Sequence, residues 1–184
     1  MGSEWKVRTV VPIQVIMEGD KTNYRYCLTG NEAAKKPLIV LGLNPSTANE
    51  EKPDQTMKKV VSFMESNGFD GFMMLNLYSR RTPYPKKLKS IGIDPKEHEK
   101  NLESIKRHIS SIDQPTILLA FGANIVKING LVDCFKDIVK ECKAYNPKWF
   151  CLDTTKDGHP KHPLYLSKNL RLREFDVNEY LKKF

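Results

Sequence analysis

Apolar segments of two kinds alternate along this chain. Continuous apolar runs, typical of buried strands, occupy residues 37–43, 69–77, 115–123 and 148–153. Apolar residues at helical spacing lie between them, over residues 54–68, 99–112 and 128–142. This alternation of strands and helices predicts an α/β fold, a three-layer α/β/α sandwich with a mostly parallel central sheet.

The N-terminal segment has a different pattern. Residues 8–29 alternate and turn, with EGDKTN at 18–23 as the turn, which predicts a β-hairpin that packs on the core or extends it. The sequence of 184 residues contains no internal repeat, low-complexity stretch or linker. We therefore expect residues 1–184 to form one domain.

Charge and composition narrow the class of partner. A net charge of +8 and a pI near 9.2 favour a polyanion, with DNA the first candidate, although widely spread lysines also suit a solvated face. No apolar run approaches the roughly 20 residues of a membrane helix, so no membrane partner is expected. With no secretory signal and four cysteines lacking CxxC spacing, we expect free thiols and a cytoplasmic location.

Polar side chains follow each predicted strand. In parallel α/β sheets, ligands bind outside the carboxyl ends of the strands, so these residues are expected to face one cleft. The polar residues are Asn44, Ser46, Thr47, Asn76, Arg80, Arg81, Asn124, His159 and His162, and the turn residues Gly122 and Ala123 precede Asn124 after the third strand.

The usual site motifs are missing from the sequence. It contains no GxxxxGK[ST], GxGxxG, HExxH or GxSxG, and its four histidines lack metal-ligand spacing, so we expect no cofactor and no metal. Asparagine amides, a histidine in a proline-rich loop and nearby arginines remain. Such groups position water and stabilise a developing anion, which suits bond cleavage through a cationic, sugar-like transition state.

Four segments, in order, resemble the motifs of the uracil-DNA glycosylase superfamily. GLNPS at 42–46 is similar to the first motif of its mismatch-specific and single-strand-selective branches, and MMLNL at 73–77 to its second-strand motif. LLAFGANI at 118–125 and HPLYLS at 162–167 resemble its third strand and its closing loop. The chain also resembles an uncharacterised bacterial and phage family marked by L-N-P-S-T-A, D-x-T and H-P-L-Y-L. The resemblance implies a uracil-DNA glycosylase-like fold.

The resemblance also implies roles for the polar residues. Asn44 would position the attacking water, Asn76 would pair with the base edge, and His162 would donate to O2 of the departing base. An amide at position 44, where the most active branch has Asp, implies slower catalysis. His159 also precedes a proline and could face the base instead, although His162 is favoured.

The size of the first-motif residues implies a substrate preference. Where the classical branch has a bulky aromatic that blocks C5 of the pyrimidine, this chain has Ser46, so a 5-substituted base would fit. Leu43 and Thr47 would complete the base pocket. Residues expected to contact the DNA backbone or enter the duplex are Arg80, Arg81, Lys161, Tyr165 and Lys168.

The function expected from this resemblance is that of a monomeric, monofunctional DNA glycosylase. It would hydrolyse the N-glycosidic bond of a pyrimidine flipped from double- or single-stranded DNA, in repair or in defence against phage with modified bases. Two alternatives stay open: a hydrolase of free nucleosides or nucleotides, and a non-catalytic module that binds a modified base. At single residues, Asn44 could instead cap a helix, Asn76 could be a satisfied buried amide, and Arg80 and Arg81 could be surface charge.

Overall fold

The computed structural model of the protein describes residues 3–5 and 13–184. In those residues eight strands form one sheet: β1 (Ser3–Trp5), β2 (Ile13–Gly19), β3 (Arg25–Gly30), β4 (Pro37–Gly42), β5 (Gly71–Asn76), β6 (Thr116–Leu119), β7 (Lys148–Cys151) and β8 (Arg173–Glu174). The α-helices are α1 (Gln55–Ser66), α2 (Pro85–Ile91), α3 (Pro95–Ser110), α4 (Leu131–Cys142) and α5 (Val177–Leu181). The prediction of an α/β fold is confirmed.

The sheet is mixed, so the prediction of a mostly parallel sheet is wrong. Its strand order is β1-β2-β3-β5-β4-β6-β7-β8. The four central strands, β5, β4, β6 and β7, are parallel, whereas β1, β2 and β3 extend one edge and β8 the other in antiparallel pairing. The reason is the connections: a short turn joins β2 to β3 and forces them antiparallel, while helical crossovers join the four central strands.

Helices cover both faces of the sheet. On one face α1 buries Met57, Val60 and Phe63 against Val40 and Phe72. On the other face α3 and α4 are buried in a second cluster, which also includes α2 and α5. The carboxyl ends of the four parallel strands therefore form a common edge between two helical layers.

The ends of the helices follow local chemistry. The predicted helix 54–68 is α1, capped by Asp54 Oδ1, which accepts from the Met57 N–H at 2.9 Å. The predicted helix 99–112 is α3, which begins earlier, because Asp94 caps it and Pro95 occupies its first turn. The predicted helix 128–142 is α4, which begins only after Gly130, whose φ is +87°.

The predicted hairpin of residues 8–29 corresponds to β2 and β3 where the structure describes it. The segment 8–12 lies outside the described residues. The turn after β2 is held by the Asp20 carboxylate, which accepts from the backbone N–H of Thr22 at 2.7 Å and of Tyr24 at 3.2 Å. Through β3 the hairpin pairs with β5, which makes it part of the sheet.

All four cysteines are free thiols buried in the core, as predicted from their spacing. Burial raises the thiol pKa of Cys27, Cys134 and Cys142 to about 12. In the described parts of the chain, no helix combines the length and the apolar composition needed to cross a membrane.

Candidate functional site

A cavity of about 480 Å³ opens at the carboxyl ends of the parallel strands. After β4 the chain leaves to the face covered by α1, whereas after its neighbour β6 it leaves to the face covered by α4. Such a reversal is the point where open α/β sheets bind ligands. Segments that follow β4, β6 and β7 line the cavity. The prediction that all the strand-end residues face one cleft is confirmed for Asn44, Ser46, Gly122, Ala123, Asn124 and His162, and it is wrong for Thr47, Asn76, Arg80, Arg81 and His159, which lie outside the lining.

Asn44 lines the cavity with its amide held in one orientation. Its Nδ2 donates to the backbone carbonyls of Pro45 at 2.9 Å, Thr82 at 2.9 Å and Arg80 at 3.3 Å. No donor within the described residues reaches Oδ1, an acceptor that a water in the cavity can use. The alternative that Asn44 caps a helix is wrong, because Asp54 caps α1.

His162 lies in the cavity wall next to Gly122, which follows β6; a Cβ on that glycine would lie 3.5 Å from His162 Cβ. It precedes a 3-10 helix (Pro163–Tyr165), and its Nδ1 accepts from the Leu164 N–H at 3.3 Å. Nδ1 therefore carries no proton in the neutral ring, and Nε2 carries the N–H. Burial lowers the pKa of His162 below 6.5, although the negative charge of Asp54 acts in the opposite direction. The lowered pKa keeps the ring neutral at pH 7.

His159 lies outside the cavity lining. Its Nδ1 is 2.7 Å from the hydroxyl of Tyr180 in α5, and the two rings are in edge contact. Of the two histidines, His162 is therefore the one that faces the cavity. The expectation that His159 binds a base is not supported by its position.

Asn76 lies one layer beneath the cavity floor and is fully buried, with 0% of its surface exposed. Neither atom of its amide group has a hydrogen-bond partner within the described residues, so it is not a satisfied amide. A Cβ on Gly42, which lines the cavity, would lie 2.9 Å from Asn76 Oδ1. Because Gly42 has no side chain, the unpartnered Asn76 amide lies directly beneath the cavity lining, but it does not itself face the cavity.

The residues expected to form the base pocket after β4 differ in whether they line the cavity. Leu43 and Ser46 line the cavity beside Asn44, and Ser46 is half-buried. Thr47 is exposed and lies outside the lining, so the structure does not place it in a base pocket.

The cationic residues predicted to contact DNA have different surroundings. Arg80 packs over the Tyr24 ring at 5.1 Å, and Arg81 turns inward, with Nη2 donating to the Ala48 carbonyl at 3.0 Å. The alternative that Arg81 is ordinary surface charge is therefore wrong. Lys161 lines the cavity and pairs with Asp153 at 2.5 Å. Lys168 is exposed away from the lining.

One predicted DNA contact stands at the mouth of the cavity. Tyr165 lines it and is 84% exposed, the largest exposed fraction among the bulky apolar side chains of the described segments. Its ring centroid is 6.2 Å from that of His162. An exposed aromatic at a site entrance can stack on a base.

Several residues of the cavity wall could not be recognised from the sequence pattern. Arg25 was treated as part of an alternating strand, and Asp54 and Thr56 only as part of a family motif. The Asp54-x-Thr56 spacing at the start of α1 was the available signal, because a helix cap that follows the end of a strand faces the ligand edge of the sheet. The other polar members of the lining that were not predicted are Thr82 and Thr155.

The fold and the site define an α/β protein with a polar, amide- and imidazole-lined cavity at the switch point of its sheet. By sequence the chain belongs to the DUF1643 family, described as a protein of unknown function, whose model matches residues 25–164. That range contains every residue of the cavity lining except Tyr165. No curated protein and no solved structure matches the chain.

Proposed function

We propose that this protein is a DNA glycosylase that hydrolyses the N-glycosidic bond of a flipped pyrimidine. One observation carries the proposal: Asn44, with a free amide oxygen, and neutral His162, with a free Nε2–H, line the same cavity at the sheet's switch point. The first group can hold a water, and the second can donate to an oxygen that becomes anionic. The four motifs that resemble the uracil-DNA glycosylase superfamily support the same assignment.

The two groups divide the reaction between them. As the bond between C1′ and the base nitrogen breaks, its electron pair moves onto the base, and His162 Nε2–H stabilises the carbonyl oxygen where that charge collects. The sugar becomes cationic, and the water held by Asn44 Oδ1 adds to C1′. The hydroxyl stays on C1′, and the proton released by the water neutralises the departing base. Asn44 thus acts by position, since an amide is no base.

The cavity has room for a pyrimidine that carries a substituent. A volume of about 480 Å³ lies in the range of roughly 300–1,000 Å³ common for small-molecule sites. The small Ser46 in the wall leaves room for a substituent at C5 of the base. We therefore expect a pyrimidine altered at C5, as in mismatched thymine or in modified phage DNA, to be the substrate.

The surface around the cavity suits a nucleic acid. The net charge of +8 favours binding to the phosphate backbone, and exposed Tyr165 at the mouth can fill the space that a flipped base leaves. Lys161 in the lining and Lys168 beyond it are the cations we assign to phosphate contacts.

The experiment is base release from defined oligonucleotides. Duplex and single-stranded substrates carry uracil, mismatched thymine, or 5-hydroxymethylcytosine with and without an attached sugar, and alkali then breaks the strand at any abasic site. The double variant Asn44→Ala with His162→Ala serves as the blank. Breaks with the wild type and not with the blank would establish the activity and identify the base. Salt-sensitive DNA binding without breaks would contradict hydrolysis and favour a binding module, and no DNA binding would point to free nucleotides.

The rate is expected to depend on pH through His162. Its pKa is lowered by burial, so the neutral ring persists until the pH falls through a value below 6.5. Below that point Nδ1 takes a proton and loses its bond from the Leu164 N–H. Single-turnover base release should therefore be constant above pH 6.5 and fall on the acid side. His162→Gln keeps a donor that does not titrate, and an acid limb that persists in this variant would assign it to another group.

Enlarging Ser46 is expected to change selectivity. A tyrosine at this position would occupy the space next to C5, so Ser46→Tyr should lower release of a 5-substituted base relative to its unsubstituted counterpart by about 10- to 100-fold. The measurement is the ratio of single-turnover rates on the two substrates. Thr47→Tyr, one residue away and outside the cavity, is the matched control and should leave the ratio unchanged. Equal ratios in both variants would contradict the placement of C5 beside Ser46.

A further inference from the structure

Arg25 is a buried cation in the wall of the cavity. It lies at the start of β3, is 2% exposed and lines the cavity. Its Nη1 donates to the Ala48 carbonyl at 2.8 Å, and its Nε has no hydrogen-bond partner among the described residues. One edge of the guanidinium is therefore fixed and another polar atom is left without an acceptor.

Among the described residues, the charge of Arg25 is opposed only from beyond ion-pair distance, by the Asp54 carboxylate in the same cavity lining. No carboxylate of the described residues forms an ion pair with it. The residues outside the described ranges contain neither Asp nor Glu. A buried charge is normally paired, because the loss of hydration is costly.

A second guanidinium increases the positive charge at this position. Arg81 donates to the same Ala48 carbonyl at 3.0 Å. In the part of the chain that the structure describes it forms no ion pair, and the carboxylates of Asp20, Glu50 and Asp54 act on it from a longer distance. Burial, helped by the charge of Arg81, lowers the pKa of Arg25 to about 10, so it stays charged at pH 7. Two guanidinium groups that share one carbonyl acceptor favour the binding of an anionic group of a ligand.

We propose that Arg25 forms an anion subsite that binds a phosphate group of the ligand held in the cavity. The subsite rests on the proposed function only for the identity of that ligand as a nucleotide. The phosphate has two possible sources, a phosphodiester of the DNA strand beside the flipped base or the terminal phosphate of a mononucleotide. Both present the tetrahedral oxyanion that a guanidinium edge binds.

The test measures binding of inorganic phosphate without any turnover. The melting temperature of the wild type, titrated with sodium phosphate against sodium chloride at equal ionic strength, should rise with phosphate. Arg25→Gln should weaken the apparent phosphate affinity on the order of 10- to 100-fold. Arg107→Gln is the matched control, because Arg107 lies on the surface of α3, pairs with Glu18 and is outside the cavity; it should bind like the wild type.

Two results would overturn the subsite. One is a wild type that phosphate does not stabilise, a measurement that holds even if Arg25→Gln fails to fold. The other is an Arg25→Gln variant that folds and keeps the wild-type affinity. Arg25→Lys keeps the charge and loses the planar guanidinium, so its phosphate affinity should lie between those of the wild type and Arg25→Gln.

The source of the phosphate is found with two further probes, deoxycytidine 5′-monophosphate and a trinucleotide without terminal phosphates. An affinity lost in Arg25→Gln for the mononucleotide alone assigns a terminal phosphate, and the same loss for the trinucleotide assigns a strand phosphate. An affinity for both that is independent of Arg25 contradicts the subsite. Because none of these measurements requires base release, a missing glycosylase activity and a missing anion subsite give different results.

Discussion

Replacing His162 with Ala should lower the rate of base release by about 10²- to 10³-fold, the usual cost of one oxyanion donor. The reason is its tautomer: Nδ1 is occupied by the Leu164 N–H, so Nε2–H is the donor left for the ligand. The imidazole acts on the charge that develops as the bond breaks, so substrate affinity should change little. Single-turnover rates on the preferred oligonucleotide, with affinity measured separately, check both statements.

His159→Ala is the matched control for this variant. His159 also precedes a proline, but it bonds the Tyr180 hydroxyl outside the cavity. Its removal should lower the thermal stability and leave the rate per folded molecule unchanged. A large rate loss in His159→Ala with none in His162→Ala would reverse the assignment of the two histidines.

Asn44→Asp is expected to inactivate the protein, although a carboxylate at this position would be a stronger base toward a bound water than an amide. Asn44 Nδ2 donates to three backbone carbonyls, so a carboxylate there would place negative oxygens against the carbonyls of Pro45, Arg80 and Thr82. Lost donors and this repulsion together should cost about 3 kcal/mol of unfolding free energy. The loop that holds the water would lose its shape, and base release should fall more than about 100-fold.

Chemical denaturation and single-turnover kinetics together test the Asn44 variant. Asn146→Asp makes the same chemical change at an exposed loop residue and should alter neither measurement by much. A stable Asn44→Asp protein with a raised rate would contradict the structural role of Nδ2 and would show that the amide is merely a weak substitute for a base.

The sequence was sufficient to predict the central part of the fold. Continuous apolar runs marked β4, β5, β6 and β7, because both faces of a central parallel strand are covered by helices. Strand ends followed by polar residues then located the cavity, since the ligand edge of such a sheet is fixed by topology.

The edges of the sheet and part of the cavity wall could not be predicted in the same way. The short β8, of two residues, has no hydrophobic period, and it exists because Phe150 and Cys151 offer a free edge. Arg25 follows the alternation of a strand, and only its tertiary contact with the Ala48 carbonyl shows that its side chain lines the cavity. The position of His159 likewise depends on α5, far along the chain.

The burial of all four thiols gives the protein a reporter of its own opening. Burial raises the pKa of Cys27, Cys134 and Cys142 to about 12, so these thiols are un-ionised at pH 7 in the folded chain and therefore poor nucleophiles. Alkylating agents and peroxide then react only when a core segment is transiently exposed. Since the cysteines lie on β3, on α4 and on β7, the order in which they are labelled would map which part of the fold opens first.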